Sequence, residues 1–239
     1  MPAVEPAALR RVGHKGADLI APGNTLASFD AALEAGVDMI EFDVLPSRRD
    51  GRLLLAHDYR DAARRSPHSL EEGLEHLAAD AFAEVELLVD LKLPGYELRV
   101  VQALSASGLL HRALISTQYR QSIALIRRAH PDVRLGWTVP KLSRDPFRSR
   151  RTALPALVAL VGIRALLPGR AAAAIRAGRC DALMAHWRLV TPRLARRVRA
   201  AGGELYVWTV DDGEHIRALR ALGVTGVITN DPRLFASPV

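Results

Sequence analysis

A single cysteine, Cys180, in 239 residues excludes an intrachain disulfide and any cysteine-cluster metal site. A lone cysteine of this kind reads as a small buried side chain rather than a nucleophile. Aromatic residues make up only 5% of a chain that is 49% hydrophobic, so the core has to be built from Ala, Leu and Val. The N-terminal residues, Met-Pro-Ala-Val-Glu-Pro-Ala-Ala-Leu-Arg-Arg, hold no continuous apolar stretch of signal-peptide length. The longest apolar region, residues 153–167, is shorter than a membrane-spanning helix and is interrupted by Pro155 and Arg164. These absences lead to the expectation of a soluble, cytoplasmic protein. Helix-turn-helix, zinc-finger and RNA-binding motifs are missing too, so no nucleic-acid partner is expected.

What the chain does have is positive charge. A net charge of +7 and a pI near 10.3 suit anions, which include phosphate esters, acidic lipid surfaces and nucleic acid without choosing among them. The length is compatible with one large domain or two small ones. Short, largely apolar segments at residues 9–13, 39–44, 85–91, 113–117, 133–139, 182–186, 205–210 and 226–229 read as strands. Residues 53–56 read as an extra hairpin arm after the second strand, beyond an Asp50-Gly51 turn. Helical patterns fall between the strands: after Thr25 up to Gly36, and over 69–77, 96–107, 121–130, 171–177, 192–201 and 213–222. Apolar strands alternating with helices indicate a parallel sheet covered on both faces. Eight such units in this length predict a (β/α)8 barrel, in preference to a doubly wound open sheet. One domain over residues 1–239 is expected.

In such a barrel, functional residues stand at the C-terminal ends of the strands. His14 follows the first strand. Glu41 and Asp43 alternate in the second and so share a face. Asp90 and Lys92 close the third strand, Ser116 the fourth, His186 the sixth and Trp208 the seventh. The hairpin arm ends at His57-Asp58. Two carboxylates with a histidine brought back beside them suit a divalent metal and an acid/base. Taken alone, they suit a half-buried strand with solvated acids equally well. His186 reads as structural or as part of the substrate shell, and Trp208 as a pocket wall or a core aromatic. His68, His76, His111, His130 and His215 read as surface or helix residues.

In their order, His14-Lys15-Gly16, Ala21-Pro22-Gly23-Asn24-Thr25, Glu41-Phe42-Asp43-Val44, Asp50-Gly51, His57-Asp58, Asp90-Leu91-Lys92, Trp208-Thr209-Val210 and the tail 223–232 resemble the glycerophosphodiester phosphodiesterase family. The resemblance spans nearly the whole chain apart from residues 141–178. It implies a metal-dependent TIM barrel that cleaves small-molecule glycerophosphodiesters to an alcohol and glycerol 3-phosphate. It further implies His14 and His57 as the acid/base pair, with Lys92 neutralising a phosphate oxygen. Glu41, Asp43 and Asp90 would be the ligands of a divalent metal, Mg2+ or Ca2+. Lys15, Ser116 and Trp208 would contact substrate. Three positions depart from the family pattern: Lys15 stands where Arg is usual, Gly23 where Glu is usual, and Asp90 where a longer Glu is usual. These departures motivate the alternative of a catalytically impaired barrel that binds phosphate esters.

The atypical segment 141–178 opens with Lys141, Arg144, Arg148, Arg150 and Arg151 and continues in an apolar run. A loop plus a packed outer helix is the expectation. Weak association with an anionic membrane surface, with a lysophospholipid as substrate, is the alternative.

Overall fold

The computed structural model describes residues 8–140 and 150–236, with the side chains of 150–158 set aside. The basic residues 141–149 of the atypical segment lie outside the described residues. The elements are β1 (Arg10–Gly13), α1 (Leu26–Glu34), β2 (Met39–Pro46), β3 (Leu53–Leu55), α2 (Tyr59–Arg64), α3 (Leu70–Leu77), β4 (Glu86–Leu91), α4 (Glu97–Ala106), β5 (Ala113–Thr117), α5 (Arg120–Ala129), β6 (Arg134–Val139), α6 (Arg150–Arg176), β7 (Ala182–His186), α7 (Pro192–Arg199), β8 (Glu204–Trp208), α8 (Gly213–Ala221) and β9 (Gly226–Thr229). All strands except β3 run parallel in the order β1-β9-β8-β7-β6-β5-β4-β2, and β1 pairs with β2 to close the ring. β3 is antiparallel to β2 and hangs outside the ring, as the Asp-Gly turn led one to expect. The closed (β/α)8 barrel is the fold predicted from strand counting.

Strand alternation sorts every side chain into one of two cores. Ile40, Phe42 and Val44 of β2 face the outer layer, where they meet the helices. Met39 faces inward, into a small cluster with Val12, Leu88, Leu114, Ala182, Met184, Tyr206 and Ile228. Two residues further along each strand, the same inward row continues with His14, Glu41, Asp90, Ser116, His186, Trp208 and Asn230. The apolar plug in the middle of the barrel therefore carries a polar layer on its C-terminal side. Two residues in the other direction stand Arg10, Glu86, Arg134 and Glu204. Glu86 accepts from Arg10 at 2.6 Å and from Arg134 at 2.8 Å, and Arg134 also reaches Glu204 at 3.0 Å. This ionic layer closes the N-terminal end.

Capping fixes the outer helices in place. Thr25 and Ser28 form a capping box at the start of α1, and Ser69 and Glu72 form another at α3. Gly36, at φ 71°, ends the first helical turn region in the left-handed conformation that glycine tolerates. Sequence periodicity does not reveal α2, a six-residue helix without a buried face. Its start is set by Asp58, whose side chain accepts from the backbone N–H groups of Arg60 and Asp61. Instead of an apolar run followed by a separate helix, α6 is one helix of 27 residues that continues through Pro168. Proline gives up a single intrahelical hydrogen bond there, and Leu167, Ala171, Ala172, Ala174 and Ile175 are buried around it. No helix among the described residues is long and apolar enough to cross a membrane.

Candidate active site

Glu41 and Asp43 are buried, at 5% and 0% exposure, as inward neighbours on β2. In the β2–β4 register Asp43 lies opposite Asp90. Glu41, Asp43 and Asp90 each offer a carboxylate oxygen, and these oxygens lie within 4.8 Å of one another. Lys92, two residues past Asp90, brings its Nζ to 2.5 Å from Asp43 Oδ1 and 2.6 Å from Asp90 Oδ2. The other Asp90 oxygen accepts from Ser116 Oγ at 2.6 Å, so Ser116 serves the carboxylate layer as well as the cavity wall.

Asn24 has a part in the site that sequence reasoning did not assign to it. It is 1% exposed, and its Nδ2 donates to Asp43 Oδ2 while its Oδ1 accepts from the backbone N–H of Asp43, both at 2.9 Å. Asn24 sits at φ 58°, a conformation asparagine accepts more readily than most residues. Its place in the segment 21–25 that carries the family resemblance is the available signal; the pairing itself needs the fold.

His14 is held from the neighbouring strand end, by the residue that follows β9. Its Nδ1 lies 2.5 Å from Asn230 Oδ1. Asn230 in turn donates from Nδ2 to Asp211 Oδ2 at 2.6 Å and from its backbone N–H to Asp211 Oδ1 at 2.8 Å. With the amide nitrogen committed to Asp211, the amide oxygen faces His14. This places the imidazole proton on Nδ1 and leaves the Nε2 lone pair open, 3.8 Å from Glu41 Oε2. Asn230 lies in the tail 223–232 that carries the resemblance but is given no role there, and Asp211 carries no sequence signal. His57 enters from outside the ring, at the end of the β3 arm, with its side chain half exposed and Nδ1 3.6 Å from Asp58. Its backbone N–H donates to Asp61, which is paired with Arg65 at 2.9 Å, and Arg65 donates to the carbonyl of Leu55. The His57 loop is thereby anchored to the barrel rim.

A cavity of about 480 Å³ is lined by His14, Glu41, His57, Asp90, Lys92, Ser116 and Trp208 on its polar side, and by Leu88, Met184 and Ile228 on its floor. Trp208 is a pocket wall. Its ring stands edge-on to His186 with centroids 5.0 Å apart, and its buried indole N–H has no partner among the described residues. His186 is also stacked on Trp187. Lys15 is not among the lining residues. Its backbone N–H donates to Glu41 at 2.7 Å, while its Nζ turns to Asp18 at 3.2 Å. Asp18 also bears on the missing carboxylate at Gly23. A Cβ at Gly23 would fall 2.4 Å from Asp18 Oδ1, which accepts from the Gly23 N–H. The space toward which a side chain at position 23 would project is thus filled by the carboxylate of Asp18.

The electrostatics follow from burial. Desolvation opposes the Lys92 charge, but Asp43, Asp90 and Glu41 outweigh it and hold its pKa above the usual lysine value. Desolvation likewise opposes ionisation of Asp43, yet Lys92, His57, His14 and Lys15 hold that carboxyl below its usual range. Glu41 is pushed well above its usual range by burial and then by Asp43. Burial and then Lys15 lower the pKa of His14, which favours the neutral imidazole. Three clustered carboxylates therefore share too little positive charge. An all-oxygen donor set with an excess of negative charge fits a hard divalent cation.

Comparison with known proteins agrees with this geometry. Residues 14–70 and 99–234 match the glycerophosphoryl diester phosphodiesterase family, so Asp90 and Lys92 fall between the two matched blocks and owe their place to the structure. A glycerophosphodiester phosphodiesterase of Caldanaerobacter subterraneus subsp. tengcongensis is 22% identical over 92% of this chain and 93% of its own length. One from Arabidopsis thaliana is 27% identical over 93% of this chain and 70% of its own length. The fold is also that of an Oleispira antarctica phosphodiesterase solved with its product sn-glycerol 3-phosphate, with a TM-score of 0.68, 20% identity and 96% of each chain covered. With a closed barrel, a carboxylate cluster at its C-terminal mouth and a family match over most of its length, the chain belongs to the glycerophosphoryl diester phosphodiesterase family, a family of phosphoric diester hydrolases.

Proposed function

We propose that the barrel hydrolyses glycerophosphodiesters to an alcohol and glycerol 3-phosphate by two-histidine acid/base catalysis, with residues 1–239 acting as one domain. The observation that carries this reading is His14, oriented by Asn230 beside the carboxylate cluster, with a second histidine, His57, lining the same cavity. Glu41, Asp43 and Asp90 would hold a divalent cation, Mg2+ or Ca2+, which when bound supplies Lewis-acid polarisation of the phosphoryl group.

The residues of the chain divide the remaining work. His14 Nε2 takes the proton from the attacking oxygen, whether that belongs to water or to the glycerol hydroxyl of the substrate; in the second case the alcohol leaves behind a cyclic phosphodiester that water then opens to glycerol 3-phosphate. The Nδ1 proton stays on the ring, donated to Asn230 Oδ1, so the ring does not have to turn. His57, half exposed at the end of the β3 arm, returns a proton to the departing alkoxide. Lys92 places its ammonium where negative charge spreads over the phosphate oxygens. The free indole N–H of Trp208 donates to the glycerol moiety, and the ring walls it in. The Oleispira relative holds the product that this reaction would release, and the apolar floor of Leu88, Met184 and Ile228 leaves room for it.

The test is release of glycerol 3-phosphate from a panel of glycerophosphodiesters and one lysophospholipid, with Mg2+, with Ca2+ and with EDTA, for wild type and His57→Ala. The expected result is release that depends on metal and is lost in the variant. No release from any substrate with either metal would refute the reading and leave a barrel that binds phosphate esters without turning them over.

A further inference from the structure

We infer that the mouth face of the barrel docks on an anionic lipid surface, with the exposed stretch 159–166 of α6 as its main contact among the described residues. Among the described residues, the large hydrophobic side chains left exposed are Leu19 (62%), Ile20 (39%), Leu98 (41%), Val161 (61%), Ile163 (38%) and Leu166 (55%). Leu19 and Ile20 lie in the loop that leaves β1, Leu98 in the first turn of the helix after β4, and the other three in the helix after β6. Every one belongs to a segment departing from the C-terminal end of a strand, the end that carries the cavity. Exposed apolar residues scattered singly need no explanation, but their collection at one end of a barrel does.

The helix supplies the shape. At 27 residues α6 is about 40 Å long, against roughly 9–15 Å for the other helices. Its seated part begins with Leu167. Arg164 Nε donates to the carbonyl of Arg188 at 2.7 Å, in the turn Trp187–Leu189 that directly follows β7, so residue 164 marks the rim of the barrel. The helix before that point rises past the rim. Over residues 159–166 only Leu160 is partly shielded, and Arg164 is the one polar side chain among otherwise apolar positions. A helix that is apolar around its circumference is normally covered.

Charge identifies the cover. The sequence of α6 contains Arg150, Arg151, Arg164, Arg170 and Arg176 and no acidic residue, in a chain of net charge +7. Apolar side chains for the acyl boundary together with arginines for the headgroups suit an anionic bilayer. A second copy of the chain would set two arginine-only helices against each other. Docked this way, the cavity opens toward the surface. If the phosphodiesterase reading holds, the substrate is then a glycerophosphodiester presented at a bilayer.

The test is co-sedimentation of the full chain with vesicles of phosphatidylcholine alone and of phosphatidylcholine with phosphatidylglycerol, at low and physiological salt. Val161→Asp/Leu166→Asp is the variant. Both side chains are more than half exposed, so the fold should survive, as a thermal melt will check. Wild type is expected to bind the anionic vesicles, more weakly as salt rises, and the double variant to lose at least about tenfold in affinity. Hydrolysis of a water-soluble glycerophosphodiester should be the same for both proteins. A protein that binds vesicles but releases no glycerol 3-phosphate would overturn the catalytic reading alone. Wild type remaining in the supernatant with anionic vesicles, or equal binding by the double variant, would overturn the docking inference. So would a dimer dissolved by V161D/L166D in a protein that ignores vesicles.

Discussion

Replacing Asn24 with alanine removes both hydrogen bonds that Asn24 makes to Asp43, in a place where water has no ready access. Asp43 is fully buried and Asn24 nearly so. The bond from Asn24 Nδ2 ends on a carboxylate and falls in the range of about 1.5–3 kcal/mol, while the one from the Asp43 N–H is worth about 1 kcal/mol. Alanine at φ 58° adds a further cost on the order of 1 kcal/mol. The expected destabilisation of Asn24→Ala is therefore about 3–5 kcal/mol, a fall in Tm of roughly 8–15 °C for a chain of this length. Urea unfolding measures the first and calorimetry the second. Because Asp43 would keep Lys92 but lose the partner on its Oδ2, affinity for Mg2+ or Ca2+ by titration calorimetry should fall about 10–100-fold. Asn24→Asp keeps the shape and the acceptor but puts a second carboxylate against Asp43, and should be at least as damaging without added metal. A loss below about 1 kcal/mol for N24A, with unchanged metal affinity, would show that the Asn24–Asp43 pairing contributes nothing net and would refute the reasoning.

Asn230→Leu leaves His14 in place but removes the acceptor for its Nδ1 proton; kcat should fall about 10–100-fold with KM little changed, and 15N shifts of His14 should report a mixture of ring tautomers. At the opposite end of the barrel, Glu86→Gln weakens the contacts to both Arg10 and Arg134, which are about one-third exposed; allowing for solvent screening, the cost should be about 1–2 kcal/mol in urea unfolding, with kcat per folded molecule unchanged. Hydrogen bonds from the Arg11 side chain and backbone outweigh burial and hold the Asp38 carboxyl below its usual range. Its folded-state pKa is depressed, so the stabilisation is complete above the unfolded value of about 3.9 and disappears as pH falls through the folded one. Asp38→Asn should accordingly lower Tm by roughly 2–4 °C at pH 7 and by progressively less as pH falls below about 4. A constant difference between D38N and wild type from pH 7 to pH 3 would contradict this.

The barrel was legible in the chain because its evidence is local. A strand such as Met39–Pro46 declares itself by apolar content, and alternation alone sends Met39, Glu41 and Asp43 to the same side. Once eight such segments alternate with helices, closure follows, and with it the expectation that His14, Asp90, Ser116 and Trp208 line one mouth. The hairpin arm that delivers His57 was announced by Asp50-Gly51. Helix α2 was not, because its six residues bury no face and its only signal is the cap at Asp58. The continuity of α6 through Pro168 was hidden for the opposite reason: a local rule forbids what packing around Leu167 and Ala171 permits.

Partnerships between distant residues could be decided only by the tertiary structure. Asn24 meets Asp43 across 19 positions, and Asn230 meets His14 across 216. Asp18 fills the space at Gly23, Lys92 is shared between Asp43 and Asp90, and the Lys15 ammonium turns away to Asp18. Residue type and strand phase determine which face a side chain occupies and which chemistry it can offer. Which donor reaches which acceptor depends on the register between strands and the path of each loop, and those are settled by packing the whole ring at once.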